Sequence, residues 1–438
     1  MQYDKIYKER FADYFVSIKD AAAAVRSGDY IVTGMLEPKG LLLALRDRDD
    51  LTDVGLYCSQ SLQGVVGDVA VNTKSNITVY TSFLDPHEDL QKANSAGKIE
   101  FLPGSFSGWP KMNRTRGCNV LMIAVTPPDH NGYMTLSTYP EHVTALMDGA
   151  DLLIGEISEN IAATFGGPLL HVSDFHKLAC AETGWEFLIR EEVGEYWKDE
   201  QAKNMSGYLS ELIPNGSTIE LGVGSMNGNA MLNMENVKDL GVHTEYYGEV
   251  LMELSLKGVI NNSRKNLHKG FSIATIGSGS RKFYNFVHNN RSLKFMPSSY
   301  VLDIRTIALN KNFHAINTAA QVDMLGQVNG EFIKGRQYSG IGGQGDFAKA
   351  ACLLEDGKSI ITMASTTVNG KYSKIVPVFD PGTPVTTPRT DVEYLVTEYG
   401  IAQIVGQTVK ERARNIIAVA NPRFRDELTE QAKKIGIL

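Results

Sequence analysis

Apolar residues along this chain fall into short continuous blocks, separated by stretches in which they recur at helical spacing. Tyr30-Ile31-Val32-Thr33, Val54 to Tyr57, Ile77 to Tyr80, Glu100 to Leu102, Val120 to Val125, Met134 to Ser137 and Leu152 to Glu156 read as strands. Between them, Ser17 with Asp20 opens an alanine-rich helical run, and a helix is predicted from Lys39 to Arg48. The second half repeats the alternation. Asn204 to Leu212 reads as helix, Ser217 to Leu221 as strand, Asn229 to Leu240 as helix, and Gly241 to Glu245 as a buried strand ending on a carboxylate. Ser359 to Met363 is a further strand, and Lys410 to Leu438 reads as terminal helices. Strands alternating with helices predict an α/β fold built on open parallel sheets.

Two halves are legible. Asn215-Gly216-Ser217-Thr218-Ile219 echoes Ser27-Gly28-Asp29-Tyr30-Ile31, a polar turn leading into an apolar strand. The chain has 438 residues, long for one core, so we expect two similar open-sheet domains, 1–203 and 204–438, with the active site in the cleft between them. Residues 182–203, polar and charged, read as the approach to the second domain.

Charge narrows the function. A net charge of −7 argues against a nucleic-acid surface as the main business. No apolar run approaches the ~20 residues of a membrane span, and the first residues have no apolar signal core, so a cytoplasmic protein is expected. Cys58, Cys118, Cys180 and Cys352 are far apart and read as reduced core thiols; the dispersed histidines offer no metal site.

Two glycine clusters carry the candidate chemistry. Gly222-Val223-Gly224-Ser225-Met226-Asn227-Gly228 follows a predicted strand, and Glu245 closes the next one. That is roughly where a dinucleotide fold places its ribose-binding acid, so a nicotinamide-dependent oxidoreductase is one reading. The same turn suits the pyrophosphate of coenzyme A, or no ligand at all. Gly340-Ile341-Gly342-Gly343-Gln344-Gly345 packs four glycines into six residues, costly in backbone entropy and useful where amides must approach a ligand. Glu245 at a strand's carboxyl edge could bind a ribose, stabilise a cation or attack a carbonyl; a paired structural acid is the bland alternative.

A wider set of motifs decides among these. Glu37-Pro38, Pro127-Pro128-Asp129-His130-Asn131-Gly132, His171-Val172-Ser173, Gly222-Val223-Gly224, His243-Thr244-Glu245, Ser339 to Gln344, Ser373 to Pro377 and Val396 to Ala402 span nearly the whole length. In these the chain resembles the acetyl-CoA hydrolase/transferase family, specifically its 4-hydroxybutyrate and butyrate coenzyme A transferases. The resemblance implies a short-chain acyl-CoA:carboxylate CoA-transferase, or an acyl-CoA hydrolase. It puts the nucleophilic glutamate on Glu245 and the glycine loop on Gly340, Ile341, Gly342, Gly343 and Gln344. It puts the coenzyme-contacting turn on Gly222, Val223, Gly224, Ser225 and Met226, with Lys358 as a coenzyme-binding lysine. Met35, Glu37 and Gln60 become acyl-pocket candidates. Coenzyme A is implied as substrate and covalent intermediate, with no tightly bound cofactor and no metal. A homodimer acting on acyl-CoA and short carboxylates, without nucleic acid or membrane, completes the expectation.

Overall fold

A computed structural model describes residues 3–84, 88–182, 200–234 and 237–438. The chain divides into two compact units, Met1–Arg190 with Thr275–Tyr300, and Glu191–Ala274 with Val301–Leu438. The excursion 275–300 distinguishes this division from the single expected cut between 203 and 204. Backbone pairing explains it: Phe295 N donates to Phe165 O at 2.7 Å and Asn289 N to Ala163 O at 2.8 Å, tying the excursion to the first unit. The polar stretch from 183 to 199 lies outside the described residues.

The first unit is built on a parallel sheet of eight strands. They are β1 (Phe15–Val16), β2 (Tyr30–Thr33), β3 (Val54–Cys58), β4 (Ile77–Thr81), β5 (Ile99–Phe101), β6 (Val120–Val125), β7 (Leu152–Ile157) and β8 (Lys177–Cys180). Their order is β1-β8-β7-β6-β2-β3-β4-β5. Strand β6, Val-Leu-Met-Ile-Ala-Val, is buried at every position, as a parallel strand covered on both faces must be. One face packs Ile31, Leu56, Val79 and Met122 against helices α1 (Lys39–Arg46) and α2 (Val65–Asn72). The strand order reverses between β2 and β6, so the loop after β2 starts at a topological switch point. The strand expected from Met134 to Ser137 is only the two-residue Tyr133–Met134. Ser137, at φ 55, breaks the extended path.

The second unit carries a six-stranded sheet: β9 (Thr218–Leu221), β10 (Gly241–Val242), β11 (Phe313–Thr318), β12 (Lys358–Thr362), β13 (Tyr394–Thr397) and β14 (Gly400–Gln403), in the order β10-β9-β11-β12-β13-β14. All neighbours are parallel except β13 and β14. The order reverses between β9 and β11. Helix α3 (Ser225–Leu232) starts and stops earlier than the Asn229 to Leu240 expected from sequence. Helix as far as Leu240 is ruled out by the backbone: Asp239 takes φ 60, and Leu240 already bridges Ile260 as extended chain. Strand β10 is likewise shorter than read, and Glu245 lies three residues beyond its end. Two helices, α5 (Val409–Ala418) and α6 (Pro422–Lys434), close the chain over a core that includes Ile361, Leu395, Ile404, Ile416 and Leu428. Between β11 and β12 runs α4 (Gln344–Cys352). Among the described residues no helix is long and apolar enough to cross a membrane.

Candidate active site

Glu245 is held by extended chain on either side of it in space. His243 N donates to Ile219 O at 3.1 Å and Thr244 N to Ile273 O at 3.0 Å, so the segment continues the sheet after β10 has formally ended. Thr244 Oγ1 accepts from Leu221 N at 3.2 Å, tying it to the end of β9. His243 points the other way. Its Nε2 lies 2.9 Å from Val301 O, and its ring meets Phe313 and Phe347 edge-on. Burial drops its pKa to about 3, so it is a neutral anchor rather than a base.

The carboxylate of Glu245 meets the glycine loop, 98 residues away in sequence: Gly343 N donates to Glu245 Oε2 at 2.5 Å. Burial pushes the Glu245 pKa up to about 7; the Gly343 amide opposes that rise and Asp346 adds to it. The glycines here are required by space and backbone. A Cβ on Gly343 would stand 2.1 Å from Leu302 Cδ2 and 2.4 Å from Glu245 Oε2, and Gly342 has φ +61. Gly343 also caps α4, so the amide facing Glu245 belongs to a helix start, where N–H groups are unused by the helix itself. Gln344 Nε2 donates to Thr387 Oγ1 at 3.0 Å and fixes the far side of the loop.

The second glycine cluster, Gly222 to Gly224, leaves β9 at the switch point between β9 and β11. A Cβ on Gly222 would meet Asn317 Oδ1 at 2.4 Å, and one on Gly224 would meet Thr318 Cγ2 at 3.3 Å. Gly222 N donates to Ile316 O at 2.8 Å, so the turn hugs the end of β11. Val223 is 52% exposed at the tip, and α3 starts at Ser225 with Met226 next. A glycine turn opening a helix at a switch point is a place where a phosphate group can dock.

Residues 279–432 match the acetyl-CoA hydrolase/transferase C-terminal domain family. The chain is 36% identical to the 4-hydroxybutyrate coenzyme A transferase of Clostridium kluyveri over 344 residues, 78% of this chain and 79% of that one. This chain belongs to the acetyl-CoA hydrolase/transferase family. The succinyl-CoA:cyclohexane-1-carboxylate CoA transferase of Geobacter metallireducens is 33% identical over 99% of this chain and 97% of its own. The crystal structure of RipA from Yersinia pestis superposes with a TM-score of 0.88 at 29% identity, covering 99% of this chain and all of that one (100%). The protein is a CoA-transferase of this family, and the nicotinamide reading of the glycine turn falls away with that.

Within the transferase the remaining sequence-predicted residues separate. Lys358 opens β12, at the amino-terminal edge of the sheet whose carboxyl edge carries Glu245 and Gly222 to Gly224. The length of β12 alone puts it roughly 13 Å from that edge. Its charged neighbours are Glu393 and Asp356, so the structure does not bring it to the Glu245 cluster. Met35, Glu37 and Gln60 lie in the first unit, on the loops that follow β2 and β3. Met35 is buried, and its N donates to Glu141 Oε1 at 2.6 Å. The Glu37 carboxylate accepts from Ser61 Oγ at 2.6 Å, Gln63 N at 2.7 Å and Val66 N at 3.0 Å. Glu37 therefore serves the N-terminus of α2, where an anion is favoured. Gln60 is half-buried, and its carbonyl faces the Cys58 thiol at 3.3 Å. Sequence reading passed over Glu220, a carboxyl in the middle of β9, although an acid inside an apolar strand was a visible anomaly.

Proposed function

We propose that this transferase is a short-chain acyl-CoA:carboxylate CoA-transferase, of the 4-hydroxybutyrate, butyrate or acetate class, working through a thioester on Glu245. The observation that carries the reading is the Glu245 carboxylate, its pKa pushed up to about 7 and its Oε2 taken by the Gly343 amide at 2.5 Å. A partly desolvated carboxylate is a stronger nucleophile than one in water, and near neutral pH a large share of it is ionised.

In the first step a Glu245 oxygen attacks the acyl-CoA carbonyl; the C–S bond breaks, and coenzyme A leaves as the thiolate, giving a mixed anhydride. The thiolate then attacks the Glu245 carbonyl, expelling the first carboxylate and forming the enzyme thioester. A second carboxylate reverses both steps, and no net proton moves. The amide of Gly343 bonds an oxygen of Glu245 itself. It therefore supports the oxyanion that grows on that glutamate when the thiolate attacks it. Gly342, at φ +61, turns the chain so that this amide faces inward. The turn Gly222 to Met226 is the proposed contact for the coenzyme's phosphates, and Met35, Glu37 and Gln60 the proposed acyl-side residues. Of these Glu37 acts indirectly, because its oxygens are engaged by α2.

Initial-rate kinetics with an acyl-CoA and a second short carboxylate test the reading. Parallel double-reciprocal lines are expected, since coenzyme stays on the enzyme between half-reactions. Intersecting lines with no trapped thioester would overturn it. Release of free coenzyme A at a rate indifferent to added carboxylate would convert the reading to an acyl-CoA hydrolase, which differs only in letting water reach the thioester.

A further inference from the structure

Strand β9 carries an acid that the transfer chemistry above does not use. Glu220 is 2% exposed in a strand whose four residues are all buried. It pairs with Ala315 on β11. Asn317, two residues further along β11, therefore falls on the same face of the sheet. There Asn317 Nδ2 donates to Glu220 Oε2 at 2.7 Å. Asn317 is itself wedged in place, since its Oδ1 occupies the space a side chain on Gly222 would need.

The titratable group that reaches Glu220 is Glu245. The two residues are linked through their chain neighbours, because Leu221 N donates to Thr244 Oγ1 at 3.2 Å. Burial, then the nearby Glu245 charge, holds the Glu220 carboxyl well above the usual carboxylate range, with Asn317 and the Ile316 backbone opposing. Two carboxyl groups that share a desolvated pocket do not both ionise; the deeper one keeps its proton. Of the pair, Glu245 has the Gly343 amide to hold an anion.

We propose that Glu220 is a positioning residue that remains a neutral acid, pins the end of β9 to β11 through Asn317 beneath the glycine turn, and leaves Glu245 the single anion of the pair. The assignment rests on the reading of Glu245 as nucleophile. A neutral Glu220 lets the Glu245 carboxylate form near neutral pH. An ionised one would repel that charge and suppress the nucleophile. Glu37 accepts three hydrogen bonds, whereas at Glu220 the Asn317 amide and the Ile316 backbone are outweighed by burial and by Glu245, which favours the neutral acid.

Infrared difference spectroscopy between wild type and Glu220→Gln just above neutral pH, where Glu245 with its pKa of about 7 is mostly ionised, reads the proton directly. The carbonyl stretch of a protonated carboxylic acid should be present in wild type and missing from the variant. No such band would overturn the proposal. Kinetics supply the second readout. Glu220→Ala leaves the Asn317 amide unpaired and should lower kcat/KM by about tenfold or more, while Glu220→Gln, neutral and of the same shape, should recover it to within about threefold with the acid limb of the pH profile unmoved. Glutamine as damaging as alanine, or an acid limb shifted by glutamine, would mean that Glu220 acts as an anion. Should the alanine variant fail to fold, the infrared and glutamine arms still decide. Mass-spectrometric trapping of coenzyme on Glu245 in wild type keeps the two readings apart. A labelled Glu245 with no infrared band sinks this inference alone. A band with no label on Glu245 sinks the nucleophile, and with it the positioning role.

Discussion

Gly343→Ala is the sharpest test of the Glu245 site, because the structure sets its consequences in advance. The new methyl would stand 2.1 Å from Leu302 Cδ2 and 2.4 Å from Glu245 Oε2, both inside any tolerable contact. Leu302 is buried, so the glutamate or the loop must yield. Either movement breaks the 2.5 Å bond from the Gly343 amide. A hydrogen bond to a charged group is worth about 1.5–3 kcal/mol, or roughly 10- to 150-fold in rate if it serves the transition state. A displacement of about 1 Å alone can cost about a hundredfold. We expect kcat to fall by two to three orders of magnitude, on the order set by these two effects together. The loss should be steepest in acid. The Gly343 amide lowers a Glu245 pKa that burial has raised to about 7, so without it the pKa climbs further. Since the anion reacts, the acid limb of kcat/KM should move to higher pH. Gly345→Ala is the matched control. Nothing lies within 4 Å of its added carbon, and it sits inside α4, where alanine should stabilise by about 0.5–1 kcal/mol. The assay is transfer rate against pH beside a melting curve for both variants. If Gly343→Ala folds, turns over normally and keeps its acid limb, the amide contact has no part in catalysis.

Four further outcomes are expected. Glu245→Gln should cut transfer by at least about a thousandfold and carry no trapped coenzyme, whereas a label on another carboxylate would reassign the nucleophile. The same variant should gain stability over wild type as pH rises from 5 to 8. The folded-state pKa of Glu245 is raised from 4.5 to about 7, so its stabilising contribution is present below 4.5 and lost through about 7; a melting difference that does not grow across that window contradicts the assigned shift. Gly342→Val places a branched side chain at φ +61 with its Cβ about 3.5 Å from Glu245 Oε1, and should lower turnover by more than about tenfold while the protein still melts cooperatively. Thr408→Ala removes the reciprocal cap between Thr408 and Glu411 at the start of α5; it should cost about 1 kcal/mol in urea unfolding and leave kcat unchanged, which checks that stability and turnover separate.

Much of the fold was legible in advance, since parallel strands buried on both faces leave unbroken apolar runs. Val120 to Val125 and Val54 to Tyr57 were placed almost to the residue. Helix limits were less legible. The apparent helix from Asn229 to Leu240 ends at Leu232, and it could not have reached Leu240, because Asp239 takes a left-handed backbone and Leu240 is drawn into pairing with Ile260. Periodicity cannot register either event. The excursion 275–300 was invisible for the same reason: its attachment to Ala163 and Phe165 is backbone hydrogen bonding between distant segments, which leaves no mark on side-chain pattern.

By itself the sequence determined the fold class, the two glycine clusters and the presence of an acid just past a strand, since composition, backbone freedom and polarity are properties of individual residues. Motif resemblance singled out Glu245 and Gly340 to Gln344 together, but the meeting of Glu245 with Gly343 across 98 positions belongs to the tertiary structure. So do the placing of Lys358 at the opposite edge of the sheet, the bonds that tie the Glu37 carboxylate to the start of α2, and the burial of Glu220 against Asn317. Each depends on strand order and register, which decide whether a charged group ends beside an amide, another carboxyl or water, and therefore whether it is an anion, an acid or a cap.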